Sequence, residues 1–202
     1  MLTPADRQLI DALYDIQSLK FGEFRLKSGA LSPFYVDLRV IISRPGVLRA
    51  VAERLIPLVR SLPCQRVAGI PYAGLPIATA VSLAGDIPLL YARKEAKEYG
   101  TRRVVEGKFS PGDRVVLIDD VITDGASKFE AAAPFEAAGL AVRDFVILLD
   151  REQGGAERLA ERGYTLHSAL KIRDVLAHLR ETERLEEALH RRCLDFIAAT
   201  QF

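Results

Sequence analysis

The sequence is sparing with the residues that usually build metal and disulfide sites. Only two of its 202 residues are cysteine, Cys64 and Cys193, far apart and without metal-type spacing. That excludes a disulfide framework and points to two reduced thiols. Its three histidines, His167, His178 and His190, fall late in the chain, away from the motifs below, and no chemistry is expected of them. No apolar run approaches the ~20 residues needed to cross a bilayer. The first residues, MLTPADRQLIDALY, lack the basic-then-apolar layout of a signal peptide, so a cytoplasmic protein is expected. Net charge is only +1, which gives no reason to expect nucleic acid or a membrane surface as partner. Any basic patch that holds an anion must be local. Internal repeats and low-complexity linkers are also missing. What remains is ordinary globular composition, 49% hydrophobic and 27% charged, in a length that suits one domain.

The first helix is marked by Thr3 as cap, Pro4 at its first position and Asp6 toward the positive end of the dipole. Leu9, Ile10, Leu13, Ile16 and Leu19 continue it as an apolar stripe. Short extended pieces at 23–26 and 34–38 follow, joined by Lys27-Ser28-Gly29 and Ser32-Pro33. Residues 1–42 thus read as a small N-terminal cap, or hood. From about residue 43 helix and strand alternate: helices at 47–62, 75–84 and 129–138, strands at 66–70, 87–91, 114–118 and 142–149. The strand RVVLI at 114–118 is apolar on both faces, as a parallel strand covered by helices on both sides must be. The expected fold is α/β, an open, mainly parallel, twisted sheet flanked by helices, with its core at 43–170 and terminal helices at 171–202. Pro134 falls inside the helix after 127, so a kink near 130–134, or a helix that ends and restarts there, is expected. A long polar stretch at 93–108 separates two strands, and loops of that length are usually functional or disordered.

In open α/β sheets ligands bind at the carboxyl ends of the strands. The clearest strand leads into VVLIDDVITDGASK, residues 115–128. Asp119 and Asp120 fall where the chain leaves the core, and each carboxylate can accept hydrogen bonds from a sugar diol. Thr123, Asp124, Gly125, Ala126 and Ser127 then form a small, hydroxyl-bearing loop ahead of a helix, able to aim backbone N–H groups at a phosphate. Asp124 is the awkward member, since its charge would repel a phosphate unless it points away. The plainer alternative is a solvated Asp-Asp turn before a capped helix.

This segment resembles the PRPP-binding signature of the type I phosphoribosyltransferases (PRPP, 5-phosphoribosyl 1-diphosphate). Three further segments, FGEFRLKSGALSPFYVDLR at 21–39, RKEAKEYGTRRVVEG at 93–107 and LLDREQGG at 148–155, resemble orotate phosphoribosyltransferase in similar order and spacing. RKEAKEYGT and LLDREQGG look closest to the phosphoribosyltransferase half of the bifunctional uridine monophosphate synthases. The chain ends soon after that half would, so no decarboxylase domain is expected in it.

The resemblance implies the type I phosphoribosyltransferase fold and a magnesium-dependent transfer of the phosphoribosyl group from PRPP to N1 of orotate. It implies PRPP contacts from Lys27, Tyr72, Arg93, Lys94, Lys97, Tyr99, Asp119, Asp120, Val121, Ile122, Thr123, Asp124, Gly125, Ala126 and Ser127. Orotate would lie among Lys27, Tyr35, Val36, Thr123 and Arg151. Lys27, Lys97, Asp119 and Asp120 would be the catalytic set. Mg²⁺ would arrive with PRPP and reach Asp119 and Asp120 through water, with no direct protein ligand. The 93–107 segment would be a mobile lid in a homodimer with shared sites, Lys94 reaching the neighbouring subunit. Arg151 after its strand could also grip a carboxylate on physical grounds alone; the alternative is a surface salt bridge with Asp150 or Glu152. Two departures from many bacterial members stand out: Tyr99 replaces His, and Ala73 replaces Lys beside Tyr72. Two other readings stay open. One is a related enzyme acting on a purine or uracil; the other is a PRPP-sensing regulator, which would usually carry a nucleic-acid-binding module or basic face.

Overall fold

The structure is a computed structural model that describes residues 1–25, 29, 31–93 and 104–202. Helix α1 (Pro4–Asp15) opens with a reciprocal cap: the Thr3 hydroxyl accepts from the Asp6 N–H, and the Asp6 carboxylate accepts from the Thr3 N–H at 2.9 Å. The helix stops before the last two residues of its expected stripe. Gln17 takes a left-handed backbone (φ 58°) and turns the chain, so Leu19 instead begins β1 (Leu19–Arg25). Strand β2 (Leu31–Val36) pairs with β1 antiparallel to make a separate hairpin, the hood. A 3₁₀ turn (Leu38–Ser43) leads to α2 (Pro45–Arg60), β3 (Arg66–Gly69), α3 (Gly74–Gly85), β4 (Leu89–Ala92) and the short β5 (Val105–Glu106). After these come β6 (Arg114–Ile122), α4 (Ala126–Ala137), β7 (Ala141–Asp150), α5 (Gly155–Glu161), β8 (Thr165–Lys171), α6 (Ile172–Glu181) and α7 (Glu187–Ala199). Among the described residues no helix is long and apolar enough to cross a membrane.

The main sheet has the order β5-β4-β3-β6-β7-β8, parallel throughout except for the β4–β5 edge. This is the open, mainly parallel sheet expected. Alternate strand residues face opposite layers. Val67, Val116, Ile118, Val146 and Leu148 pack toward α1, α2, α3, α6 and α7, while Ala68, Leu117, Phe145 and Ile147 pack toward α4 and α5. That two-sided burial is why RVVLI carries no polar face.

The chain moves outward from β3 to β4, then returns to place β6 on the other side of β3. The crevice between the carboxyl ends of β3 and β6 is therefore a topological switch point, where ligands lodge in such sheets.

Two expectations are corrected. Strand β6 runs on to Ile122 and stays paired with β7 as far as Ile122↔Asp150, so Asp119 and Asp120 belong to the strand end and do not lie beyond it. Helix α4 is one unbroken segment with Pro134 inside it, where a break and restart was a stated possibility. Proline removes a single hydrogen bond here, to the carbonyl of Glu130. Glu130 is exposed, so water can serve that carbonyl, and buried Ala132 and Phe135 hold the helix against the sheet on either side of the gap.

Candidate active site

The crevice at the switch point holds a cavity of about 340 Å³, lined by Pro71, Tyr72 and Ala73 after β3, by Asp119, Asp120 and Val121 at the end of β6, and by the loop and helix start that follow it. Arg39, from the turn behind the hood, closes one side. A larger cavity of about 740 Å³ lies elsewhere, between residues 104–111 and the end of α4, but its lining is apolar apart from Lys108. The charged chemistry is in the smaller one.

Close backbone packing shapes its floor. A Cβ on Gly74 would stand 2.4 Å from the carbonyl oxygen of Ile118, so only glycine lets the loop after β3 lie against the end of β6. Gly125 is the N-cap of α4, with a left-handed backbone (φ 77°) and no side chain of its own to cap the later N–H groups. The first N–H groups of the helix are thereby directed to the loop at 123–127. Asp124, the awkward charge, lines the cavity but has a partner on each oxygen. One oxygen accepts from the Ala126 N–H at 3.3 Å, and the other meets Arg158 of α5 at 3.2 Å.

The two adjacent aspartates have different surroundings. Asp119 is buried. One of its oxygens accepts from the Asp120 N–H at 2.9 Å, the other from the Lys128 ammonium at 2.7 Å. Asp120 is half-buried and accepts from the Val121 N–H at 2.8 Å. Burial, then the charge of Asp119, pushes the Asp120 carboxyl up to about 7.

Arg151 follows β7 directly. Its N–H donates to the Ile122 carbonyl at 3.0 Å, so Thr123 and Arg151 leave the sheet side by side. Arg151 is only 9% exposed, and its guanidinium lies over the Phe34 ring of the hood, 4.8 Å from its centroid. It makes no salt bridge with Asp150 or Glu152: Asp150 accepts from the Glu152 N–H, and Glu152 accepts from the N–H of Arg173. Nε and one terminal nitrogen have no hydrogen-bond partner, and burial lowers the proton affinity of the group. A buried, unmatched cation of this kind is costly in the empty protein and suits an anion.

Of the sequence-predicted residues, the cavity unites Tyr72, Asp119, Asp120, Val121, Thr123, Asp124, Gly125 and Ser127. Ile122 is buried beneath, and Ala126 begins α4. Tyr35 and Val36 sit on β2, next to the Phe34 that stacks on Arg151. Arg93 lies at the end of β4, 3.4 Å from Glu106, and lines a neighbouring cavity that shares Pro71, Asp119 and Ser127 with the first. Lys27, Lys94, Lys97 and Tyr99, with most of the expected lid, lie outside the described residues. Four side chains went unread in the sequence: Lys128, Arg158, Arg39 and Phe34. Lys128 and Arg158 have the appearance of ordinary solvated charges in the sequence, and only tertiary packing reveals their partners.

No family model matches the chain. Among curated proteins it is 38% identical to the orotate phosphoribosyltransferase of Natronomonas pharaonis, over 86% of this chain and 98% of that protein. The chain belongs to the orotate phosphoribosyltransferase family. It is also 44% identical to bovine uridine 5'-monophosphate synthase over 96% of its own length, but spans only 41% of that protein. The chain covers about two fifths of that synthase and of a bifunctional enzyme from Nostoc that it also matches. Among solved structures, Leishmania donovani UMP synthase superposes with a TM-score of 0.89 at 36% identity, covering 96% of this chain and 42% of that one. The sheet and its flanking helices are thus the type I phosphoribosyltransferase fold, and membership supports phosphoribosyl transfer of the kind this family performs.

Proposed function

We propose that the protein transfers the 5-phosphoribosyl group of PRPP to N1 of orotate, releasing pyrophosphate and orotidine 5'-phosphate. The observation that carries this reading is Arg151: a buried guanidinium without a full set of partners, beside Thr123 of the phosphate loop and under the hood. Orotate is a flat anion whose carboxylate matches a guanidinium fork. A purine or uracil offers that fork no carboxylate.

In this reading the loop at 123–127 and the start of α4 hold the 5'-phosphate of PRPP. Asp120 accepts hydrogen bonds from the ribose hydroxyls, and its negative charge favours the cationic character that develops on the sugar as the bond to pyrophosphate breaks. Tyr72 and the loop after β3 face the leaving pyrophosphate, with Arg93 on the same side and the lid residues Lys94, Lys97 and Tyr99 completing that end. The family resemblance assigns Lys27 to the reacting end of PRPP. Attack by N1 inverts C1′, and no protein nucleophile is needed, so positioning and charge do the work. Among the described residues no three metal-ligating side chains come together. The half-exposed Asp120 fits a magnesium ion that is held mainly by the diphosphate and reached through water. Bound there, the ion would neutralise charge on the departing pyrophosphate. Two subunits sharing their sites, with Lys94 serving the neighbour, complete the proposal.

The test is an absorbance assay with PRPP, Mg²⁺ and one base at a time. Orotate should be consumed only when both PRPP and Mg²⁺ are present. Consumption of uracil or hypoxanthine with orotate untouched would overturn the assignment.

A further inference from the structure

Lys128 is the least expected member of the site. It is the third residue of α4, a position that points most lysines at water, yet it is only 4% exposed. Its ammonium donates to the Asp119 carboxylate at 2.7 Å and to the Val121 carbonyl at 2.9 Å. Both acceptors belong to the end of β6. The lysine therefore ties the first turn of the helix back to the strand, across the loop at 123–127 that separates them. Asp119 in turn accepts from the Asp120 N–H. A continuous chain of contacts runs from helix to lysine to Asp119 to the backbone of Asp120.

We propose that Lys128 and Asp119 form a buried brace that positions the phosphate loop and Asp120 for PRPP, and that Asp120 is the one carboxylate of the pair left open to the ribose. This rests on the phosphoribosyl-transfer reading above. Each oxygen of Asp119 already has a protein donor, and the residue is buried, whereas Asp120 lines the cavity half-exposed. A buried ion pair is a poor source of net stability but holds a fixed geometry, because either partner alone would be an unmatched charge. Lys128 is thus a positioning residue. It touches the substrate only through what it holds in place.

A double-mutant cycle on the full-length protein tests the brace. Steady-state constants for PRPP and for orotate, with Mg²⁺ present, are measured for wild type, Lys128→Met, Asp119→Asn and the double variant. Lys128→Met should raise the PRPP KM about tenfold or more, the effect of a misplaced binding loop, and leave the orotate KM within about twofold. A purely structural lysine would lower the melting temperature and leave both constants alone. The double variant should be no worse than Asp119→Asn, because the two residues act as one unit. Additive losses, or a PRPP KM within about twofold of wild type in folded Lys128→Met, would overturn the brace. If Lys128→Met does not fold, the double variant, which leaves neither charge unmatched, is compared with Asp119→Asn, whose lysine keeps the Val121 carbonyl as an acceptor. With Asn at 119, removing the lysine should change the PRPP KM by less than about twofold, and a larger change overturns the proposal. Wild-type protein that uses orotate and PRPP, paired with an indifferent Lys128→Met, sinks the brace alone. Wild type that binds no PRPP sinks the functional reading and the brace with it.

Discussion

Replacing Asp120 by asparagine should make the protein more stable and less active, and the stability gain should depend on pH in a defined way. In the fold the Asp120 carboxyl is raised from 3.8 to about 7, first by burial, then by the charge of Asp119 and their hydrogen bond. The unfolded chain loses this proton near pH 4, as an ordinary aspartate does, while the folded chain keeps it until about pH 7. Between those limits the folded state binds more protons, so stability falls as pH rises and levels off above about pH 7. Each pH unit corresponds to about 1.4 kcal/mol, so the ionised group costs at most about 4 kcal/mol. Asparagine has nearly the same shape and no such proton. The difference in unfolding free energy, variant minus wild type, should start near zero at about pH 4 and grow to a plateau of a few kcal/mol at about pH 8. Urea unfolding followed by circular dichroism at a series of pH values measures it, with the carboxylates that do not touch Asp120 cancelling between the two proteins. With PRPP the variant should be far less active than wild type, and the gap should widen as pH rises toward about 8 and the wild-type Asp120 gains its charge. A difference that stays flat with pH, or that shrinks as pH rises, would refute the assignment of a raised proton affinity to Asp120.

Arg151→Met should weaken orotate binding by ~2 kcal/mol, about thirtyfold in KM, while urea unfolding shows the variant no less stable than wild type, because an unmatched buried cation has been removed; an unchanged orotate KM would take Arg151 out of the site. Pro134→Ala restores the missing N–H to α4 and should raise the unfolding free energy by ~1 kcal/mol or more with little change in activity; a destabilised variant would mean the proline ring packs better than the restored bond. Mixing Lys94→Ala with Asp120→Asn subunits, after dissociation and reassociation, should recover activity of up to one intact site per mixed dimer; silence from proven heterodimers would mean each subunit carries a complete site.

The parts of the fold that were legible are those buried on two sides. The middles of β6 and β7, residues 115–118 and 145–149, are apolar because helices cover both faces, and their composition says so. β8 went unread because it is an edge strand, with Thr165, His167 and Ser168 among its residues and full burial only at Ala169 and Leu170. Helix α5 went unread because it is only seven residues long. The stripe of α1 misled at its end: Ile16 and Leu19 keep helical spacing, but a left-handed Gln17 turns the chain, and the Ser18 hydroxyl satisfies the Leu13 carbonyl. In the site, the phosphate loop was legible because its residues are neighbours in sequence. The Lys128–Asp119 pair, nine residues apart, and the Asp124–Arg158 pair, thirty-four apart, were not. A lysine in a helix and an aspartate in a loop each have a plain solvated reading until packing brings them together.

The switch-point order has a consequence for how this chemistry can be varied. The loop after β3 and the loop after β6 ride on hydrogen-bonded neighbours, so their spacing is set by the sheet itself, about 4.8 Å from strand to strand. That is a ruler no side-chain substitution can lengthen, and under the proposed function a sugar with phosphate at one end and diphosphate at the other would be measured against it. Phe34, over Arg151, belongs instead to a two-stranded hairpin outside the main sheet. A change in the hairpin leaves the ruler untouched. The sheet can be inherited whole while the hood is rewritten for a different acceptor, one half of the reaction held constant and the other left open to selection.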